Sequence, residues 1–324
     1  METGGDDYTR TSMTALNENA ENFKLRDAAS YTAVVQEFNH YTDRLTLPLA
    51  LRLIALANMA PSHHVLDIGC GTGIVALQAA RWGGHRGKVL GIDLSEQMLA
   101  TAAAKAAQAE LQDRVSFRQM DAEDLELEDC SFDTALSLFA LLHFPNPQIA
   151  LAEMFRVLRP GGTLVVAVGS RPPFLSLDGL LYRASRLPDL LRMMRGLQLT
   201  APAALNHMVE RRFPGAGESE ESHLAHHSLN RTRGVVELVR KAGFTKLKTD
   251  WVGNQLTVDS PEEFWTMQRT FSSVARKRLD DAPQERVAAF REDFLRTCRA
   301  IQQRGGRLAY PIAAFYVSAQ RPRA

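Results

Sequence analysis

Cysteine is scarce in this chain: Cys70, Cys130 and Cys298 are the only three among 324 residues, and no two form a C-x-x-C pair. That spacing excludes a disulfide framework and a cysteine-based zinc site, and it leads us to expect reduced thiols in a cytoplasmic setting. An excess of charge of one sign is also missing. Lys and Arg number 38 against 37 Asp and Glu, for a formal net charge of +1, and no concentrated Lys/Arg run stands in the sequence. A general nucleic-acid binder would carry such a basic footprint. Long hydrophobic runs are lacking too. The most apolar early segment, LTLPLALRLIALANMA from Leu45, is interrupted by Arg52 and is shorter than the ~20 apolar residues of a membrane-spanning helix. It reads as a buried helix. The first ten residues, METGGDDYTR, are acidic where a secretory signal would be basic and then apolar, so export is not expected. Internal repeats and low-complexity tracts are absent, which excludes a solenoid. What remains, 45% hydrophobic and 23% charged residues, describes an ordinary globular protein with ample core.

From Val65 onward, short apolar runs alternate with helical stretches, the pattern of βαβ units in a mainly parallel sheet. HVLDIG reads as a strand, and GIVALQAARW as a helix opening at glycines. KVLGID ends a second strand at Asp93. Ser95 is placed to N-cap the alanine-rich helix EQMLATAAAKAAQAEL. RVSFRQMD gives a third strand ending at Asp121, SFDTALSLFALL a fourth, and TLVVAVG a fifth. Between the last two lies a helix with Asn146 at its N-cap, Pro147 at its first position and Gly161-Gly162 beyond its end. After Gly169 the alternation stops. Residues 171–230 mix leucine- and arginine-rich helical text with a polar, histidine-bearing stretch, and read as a lid or insertion. RGVVELVRKAGF is a helix stopped by Gly243, TKLKTDWVGNQLTV a strand, 261–303 a helical insert, and RLAYPIAAFYVSA the last strand.

The stretch VLDIGCGTG is the most informative. Gly69, Gly71 and Gly73 follow a strand and open a helix, but the spacing is G-x-G-x-G, with Ile74 where a dinucleotide fingerprint wants its third glycine. Glycines there admit positive φ and close backbone approach, while the helix that follows offers free N–H groups and a partial positive charge. The loop therefore suits an anion: a pyrophosphate, or the carboxylate of a smaller nucleoside ligand. Asp93 is placed to accept from both ribose hydroxyls, and Asp121 from an adenine amino group. Cys70 fits as a small loop residue, since no positioned base that would make it a nucleophile is legible nearby.

The set VLDIGCGTG, GIDLSEQML, MDAEDL, SFDTALSLFALLHF and RVLRPGGTLVV resembles the successive motifs of class I S-adenosylmethionine-dependent methyltransferases. The likeness is greatest to the small-molecule branch that includes ubiquinone and menaquinone biosynthesis methyltransferases. It covers residues 61–170 well and residues 231–320 in outline. It implies a Rossmann-like α/β fold with a seven-stranded sheet of order 3-2-1-4-5-7-6, the last strand antiparallel. It also implies cofactor contacts at Asp67, Gly69, Gly71, Asp93 and Asp121, with Cys70, Leu94 and Ala122 beside them, and S-adenosylmethionine as the cofactor.

In that fold the end of the fourth strand faces the cofactor, and there the chain reads FALLHFPNP. His143 is the candidate general base for an acceptor that must lose a proton; its alternative is a structural histidine orienting the following loop. An Asn or Asp followed by Pro-Pro and an aromatic residue, as in enzymes that methylate base amines, is missing, as is a Pro-Cys nucleophile. Phe139, Leu141 and Leu142 stand where metal-assisted catechol enzymes carry carboxylates, so metal independence is expected. His207, His223, His226 and His227 lack a carboxylate or cysteine at a recognised metal spacing. Arg183, Arg186, Arg192 and Arg195, among leucines, suit a helical lid on the core, or else an anionic membrane surface or an acidic substrate. Tyr31, Phe38 and Tyr41 are placed to wall the pocket or to pack.

The expected organisation is thus an N-terminal helical cap over 1–60, a cofactor-binding core over 61–170, a lid over 171–230, and completion of the sheet over 231–324. The expected activity is methyl transfer to an oxygen or carbon of a small, largely apolar metabolite, in the cytoplasm, with no nucleic-acid partner, no transmembrane segment and room for a homodimer. The alternatives are a lyase, isomerase or cyclase that keeps the cofactor, or a noncatalytic cofactor sensor.

Overall fold

The structure is a computed structural model that describes residues 21–82, 86–170, 177–200, 203–214 and 232–323. His223, His226 and His227, the first twenty residues of the expected cap and parts of the expected lid lie outside the described residues. Three helices come first among the described residues: α1 (21–32), α2 (Val35–Leu45) and α3 (Leu47–Ala57). The alternating region follows as β1 (Val65–Ile68), α4 (Ile74–Arg81), β2 (Val89–Asp93), α5 (Glu96–Gln108), β3 (Val115–Gln119), β4 (Phe132–Leu138), α6 (Pro147–Val157) and β5 (Leu158–Gly169). Then come α7 (Leu177–Met194), β6 (Gln198–Thr200), α8 (Ala203–Arg212), α9 (Thr232–Lys241) and β7 (Thr245–Val258). The helical insert is α10 (Pro261–Phe271), α11 (Ser273–Asp280) and α12 (Gln284–Gln303), before β8 (Arg307–Gln320).

Local signals account for most of these boundaries. The hydroxyl of Ser95 accepts from the Met98 N–H and caps α5, whose buried Met98, Leu99, Ala102 and Ala106 form one stripe at helical spacing. Asn146 and Pro147 open α6 as the sequence predicts, although the Asn146 side chain makes no capping hydrogen bond. The segment from Leu45 holds the last residue of α2 and the whole of α3, the buried helix expected there. α2 stops at Leu45, and α3 begins at Leu47 with Pro48 in its first turn and buries Leu49, Leu53 and Ile54.

Along the sheet, alternate residues divide between two cores, as the period of two requires. Leu66, Ile68, Ile92, Leu164 and Val166 pack toward α6 and α9 on one face. Val65, Val89 and Val165 pack toward α3 and α4 on the other. β1 is buried along its whole length, as expected of a parallel strand covered on both sides. A third cluster joins α2, α8 and the insert helices through Leu45, Leu205, Phe264 and Phe294. The Tyr316 hydroxyl donates to the Leu49 carbonyl at 2.9 Å, tying α3 to the last strand. Among the described residues no helix is long and apolar enough to cross a membrane.

Among the described residues the sheet has eight strands in the order β3-β2-β1-β4-β5-β8-β6, with β7 paired to β8. The seven-stranded expectation is corrected by one element: β6 adds three residues parallel to the start of β8. With β6 set aside, the last strand lies antiparallel between β5 and the strand before it, as expected. β8 pairs β6 through Arg307–Ala309 and β5 through Ala314–Gln320. Pro311, which has no N–H to give, falls in the gap between these two stretches. Tyr310 and Ile312, on either side of it, line the cavity described next.

Candidate active site

A cavity of about 590 Å³ opens at the carboxyl ends of β1, β2 and β4, and it is lined by every residue the sequence nominates: Asp67, Gly69, Cys70, Gly71, Asp93, Leu94, Asp121, Ala122 and His143. In an open parallel sheet, that edge is where ligands bind. The glycine loop is shaped by contacts only glycine permits. Gly69 holds φ +67, and a Cβ there would come within 2.2 Å of the Ala140 Cβ, so this residue lets the turn after β1 lie against the turn after β4. Gly71 holds φ +51 with open space ahead of it; a Cβ would meet only the Phe38 ring, at 3.7 Å. Asp67 braces the loop from below, one carboxylate oxygen accepting from the Ala76 N–H at 2.9 Å in the first turn of α4.

Asp93 holds the loop from the side. Its two oxygens accept from the Gly71 N–H at 2.9 Å and the Ser95 N–H at 3.0 Å, and each keeps a further lone pair for a ligand hydroxyl. Asp93→Ala should therefore weaken binding of S-adenosylhomocysteine by ~1.5–3 kcal/mol if two charge-assisted hydrogen bonds are lost. An unchanged dissociation constant by calorimetry would refute the assignment. Asp121 is more heavily engaged than the sequence indicated. It closes an Asx turn by accepting from the Glu123 N–H at 2.8 Å, and it accepts from the Lys24 ammonium at 2.6 Å. Lys24 also pairs with Glu123 at 2.9 Å, so α1 is latched to the end of β3.

Burial pushes the carboxyls of Asp67 and Asp93 upward, and Asp67, close to the Asp93 charge, rises to about 8 despite its bond from Ala76. A carboxyl raised on folding stabilises fully below its ordinary value, ~4, and loses that contribution as pH rises through its folded value. The melting temperature should thus fall between pH 5 and 9, and Asp67→Asn should flatten that decline. The burial of Cys70 drives its thiol well up, so it stays protonated and serves as a loop residue.

The turn after β4 is strained where it meets the cavity. Phe139, not a glycine, takes φ +65, held by its N–H to the Ala167 carbonyl at 2.8 Å. Such a residue costs on the order of 1–3 kcal/mol and persists only where its surroundings enforce it. One 3₁₀ turn later comes His143. Its Nδ1 lies 2.8 Å from Oδ2 of Asp27 on α1, and Lys277 on α11 donates to the other oxygen, Oδ1, at 2.7 Å. Burial alone would raise the Asp27 carboxyl, but the hydrogen bonds and charges of His143 and Lys277 outweigh it and hold the group well below the usual carboxylate range. Asp27 is therefore an anion that can only accept, so Nδ1 of His143 carries the proton and Nε2 of the neutral ring is the accepting atom. The Tyr31 hydroxyl stands 3.5 Å from Nε2, a long contact that another donor can displace.

Beyond His143 the cavity becomes aromatic. Tyr31 meets Phe38 edge-on at 5.8 Å, Phe38 lies 5.5 Å from Phe271, and Phe271 lies 5.6 Å from Tyr310. Tyr31 and Phe38 are thus walls of the cavity, whereas Tyr41 packs in the core. Asn206 on α8 and Ser272 at the cap of α11 complete the far side, joined by a 2.7 Å hydrogen bond. Sequence reasoning missed Lys24, Asp27 and Lys277. A signal for the first two existed: Lys24, Asp27 and Tyr31, at spacings of three and four, share one helix face.

Residues 65–162 match the family described as "Methyltransferase domain". Over these residues the chain is similar to class I methyltransferases. S-adenosylmethionine is the cofactor that this likeness implies. Among curated relatives, the demethylmenaquinone methyltransferase of Porphyromonas gingivalis is 35% identical over 156 residues, 48% of this chain and 62% of that protein. The O-methyltransferase cnsE of Penicillium expansum is 38% identical over 125 residues, 39% of this chain and 43% of that one. Each match thus spans less than two thirds of the relative's own length. Among solved structures, the BH2331 protein of Bacillus halodurans aligns with a TM-score of 0.51 at 20% identity, covering 84% of this chain and 98% of that one, a likeness of fold.

The residues of this region fit that cofactor. The amine and hydroxyl donors of S-adenosylmethionine have acidic side chains available at successive strand ends, Asp93 and Asp121, with the Asp67 carboxyl beneath them. Thr72, in the loop just before α4, keeps a buried hydroxyl oxygen with no hydrogen-bond partner among the described residues, a group that a ligand at the loop would satisfy. The open space ahead of Gly71 is cradle-shaped and would be narrowed by any side chain.

Proposed function

We propose that this protein transfers a methyl group from S-adenosylmethionine to an oxygen or carbon atom of a small, largely apolar acceptor. The observation that carries the reading is the His143–Asp27 pair, standing where the cofactor-holding strand ends meet an aromatic chamber within one cavity. Bound S-adenosylmethionine supplies a methyl group carried on a positively charged sulfur. The chain's part is to hold the acceptor beside it, to exclude water and to take away a proton where the acceptor has one. Asp27 orients the imidazole and stabilises the cation it becomes; Nε2 receives the proton. α8, α10 and α11 close the chamber with Asn206, Phe271, Ser272 and Lys277, which supports the 171–230 and 261–303 segments as elements that cover the acceptor. The same reading sets the reaction in the cytoplasm, in keeping with three unpaired cysteines. To test it, the protein is incubated with cofactor bearing a deuterated methyl group and a metabolite extract. One labelled product per S-adenosylhomocysteine, labelled at oxygen or carbon, is the expected result. Binding of the cofactor without any labelled product would overturn the proposal.

A further inference from the structure

The polarity of α7 is inverted. Its side toward the protein carries Tyr182, Arg186 and Asp189, at spacings of four and three, and each is engaged there. Tyr182 meets the Trp251 ring of β7 edge-on at 5.0 Å. Arg186 donates to the side-chain oxygen of Gln255 on the same strand and pairs with Asp189 at 2.8 Å. Asp189 is buried and takes a second ion pair from Arg307 of β8. The opposite side is apolar and faces solvent. Leu180, Leu187, Leu190, Leu191 and Met194 are between 46% and 76% exposed, and steps of three, four and seven residues put them on one stripe. Elsewhere among the described residues the large exposed apolar side chains stand apart: Leu25 on α1, Leu51 on α3, Trp82 beside α4 and Ile149 on α6. Single exposed residues are ordinary on a protein surface, whereas a contiguous stripe marks an interaction site.

The charges beside the stripe indicate what covers it. Arg192, in the last turn of α7, keeps a 3.5 Å contact to Asp189 yet remains exposed, as does Arg195 just after the helix. Arg304, just past the end of α12, is exposed too and joins them: a Cβ on Gly196 would lie 3.5 Å from its guanidinium. The one acid of α7 whose side chain is described, Asp189, is turned inward and paired with Arg186 and Arg307. A leucine stripe with a cationic border fits the surface of an anionic bilayer, where apolar side chains enter the acyl boundary and arginines meet headgroup phosphates. A second copy of the chain is the poorer match, because a two-fold contact sets this border against the same positive border. We propose that α7 docks the protein on anionic lipid, lying along the bilayer with its stripe in the acyl boundary and Arg192, Arg195 and Arg304 on the headgroups. The inference is independent of the methyltransferase reading, since none of these residues lines the cavity.

The test is flotation of the full-length protein with vesicles of equimolar phosphatidylcholine and phosphatidylglycerol, or of phosphatidylcholine alone. The wild type should float with the anionic vesicles and bind the neutral ones at least ~10-fold more weakly. Leu187→Glu combined with Leu191→Glu should abolish binding. Arg192→Gln combined with Arg195→Gln should weaken it by ~10–30-fold, at ~5-fold for each cation held near the surface. These side chains are exposed, so the variants should melt at the wild-type temperature, and their loss of binding is then not a loss of fold. The proposal fails if the wild type does not float with the anionic vesicles, if it binds neutral vesicles equally, or if the double glutamate variant floats as the wild type does. Sedimentation equilibrium supplies the remaining outcome. A wild-type dimer that the glutamate variant dissolves, with no flotation, gives this face to a second copy and overturns the proposal.

Discussion

His143→Ala should lower turnover by ~10²–10⁴-fold, the usual contribution of a positioned general base, while leaving the affinity for S-adenosylhomocysteine at the wild-type value. The two effects separate because His143 touches α1 and the aromatic chamber, whereas the glycine loop, Asp93 and Asp121 are held by partners of their own. His143→Asn sharpens the result. Asparagine can still donate to Asp27 but cannot take up a proton. A rate restored by asparagine would mean that orientation is the role of this residue. Equal loss in both variants would mean proton transfer through Nε2, and wild-type rates in both would remove His143 from the chemistry and leave proximity as the main effect.

Gly71→Val should abolish measurable binding of S-adenosylhomocysteine in a protein that still folds. The backbone at φ +51 lies in the region that β-branched residues avoid, so the loop either strains, at ~1–2 kcal/mol, or moves. The nearest protein atom to a new Cβ is Phe38 Cε1 at 3.7 Å, ordinary contact, and the remaining bulk faces the cavity. Gly69 makes the useful contrast. There a Cβ would overlap the Ala140 Cβ, and substitution should damage the fold itself. Thermal melting beside calorimetry distinguishes the two. Near-normal cofactor affinity in a folded Gly71→Val protein would take this loop out of the site.

The glycine-loop half of the cavity was legible in the sequence because its parts are local. Strand, glycine turn, helix and second strand run from Val65 to Asp93, and a strand-end carboxylate is recognisable from its place in that succession. The sheet order followed in the same way, except for β6, whose three residues are too few to show a period. The aromatic half was not legible. His143 and Asp27 are 116 residues apart, and Asp27 and Lys277 are 250 apart, so their meeting depends on how α1 and the insert fold back over the strand ends. His143 could be nominated from its position after the fourth strand, but the carboxylate that sets its tautomer could not. Tyr31, Phe38 and Tyr41 carried the same ambiguity in sequence, and only the packing of α10 separates the two wall residues from the core residue.

The central claim is that one cavity holds the cofactor at the glycine loop and presents the acceptor to His143. Calorimetric titration of S-adenosylhomocysteine into the wild type, Asp93→Ala and His143→Ala tests it most directly. A single site is expected in the wild type, with binding weakened by ~10–150-fold in Asp93→Ala, the equivalent of ~1.5–3 kcal/mol, and an unchanged constant in His143→Ala. No binding by the folded wild type, or equal affinity in the wild type and Asp93→Ala, would contradict it.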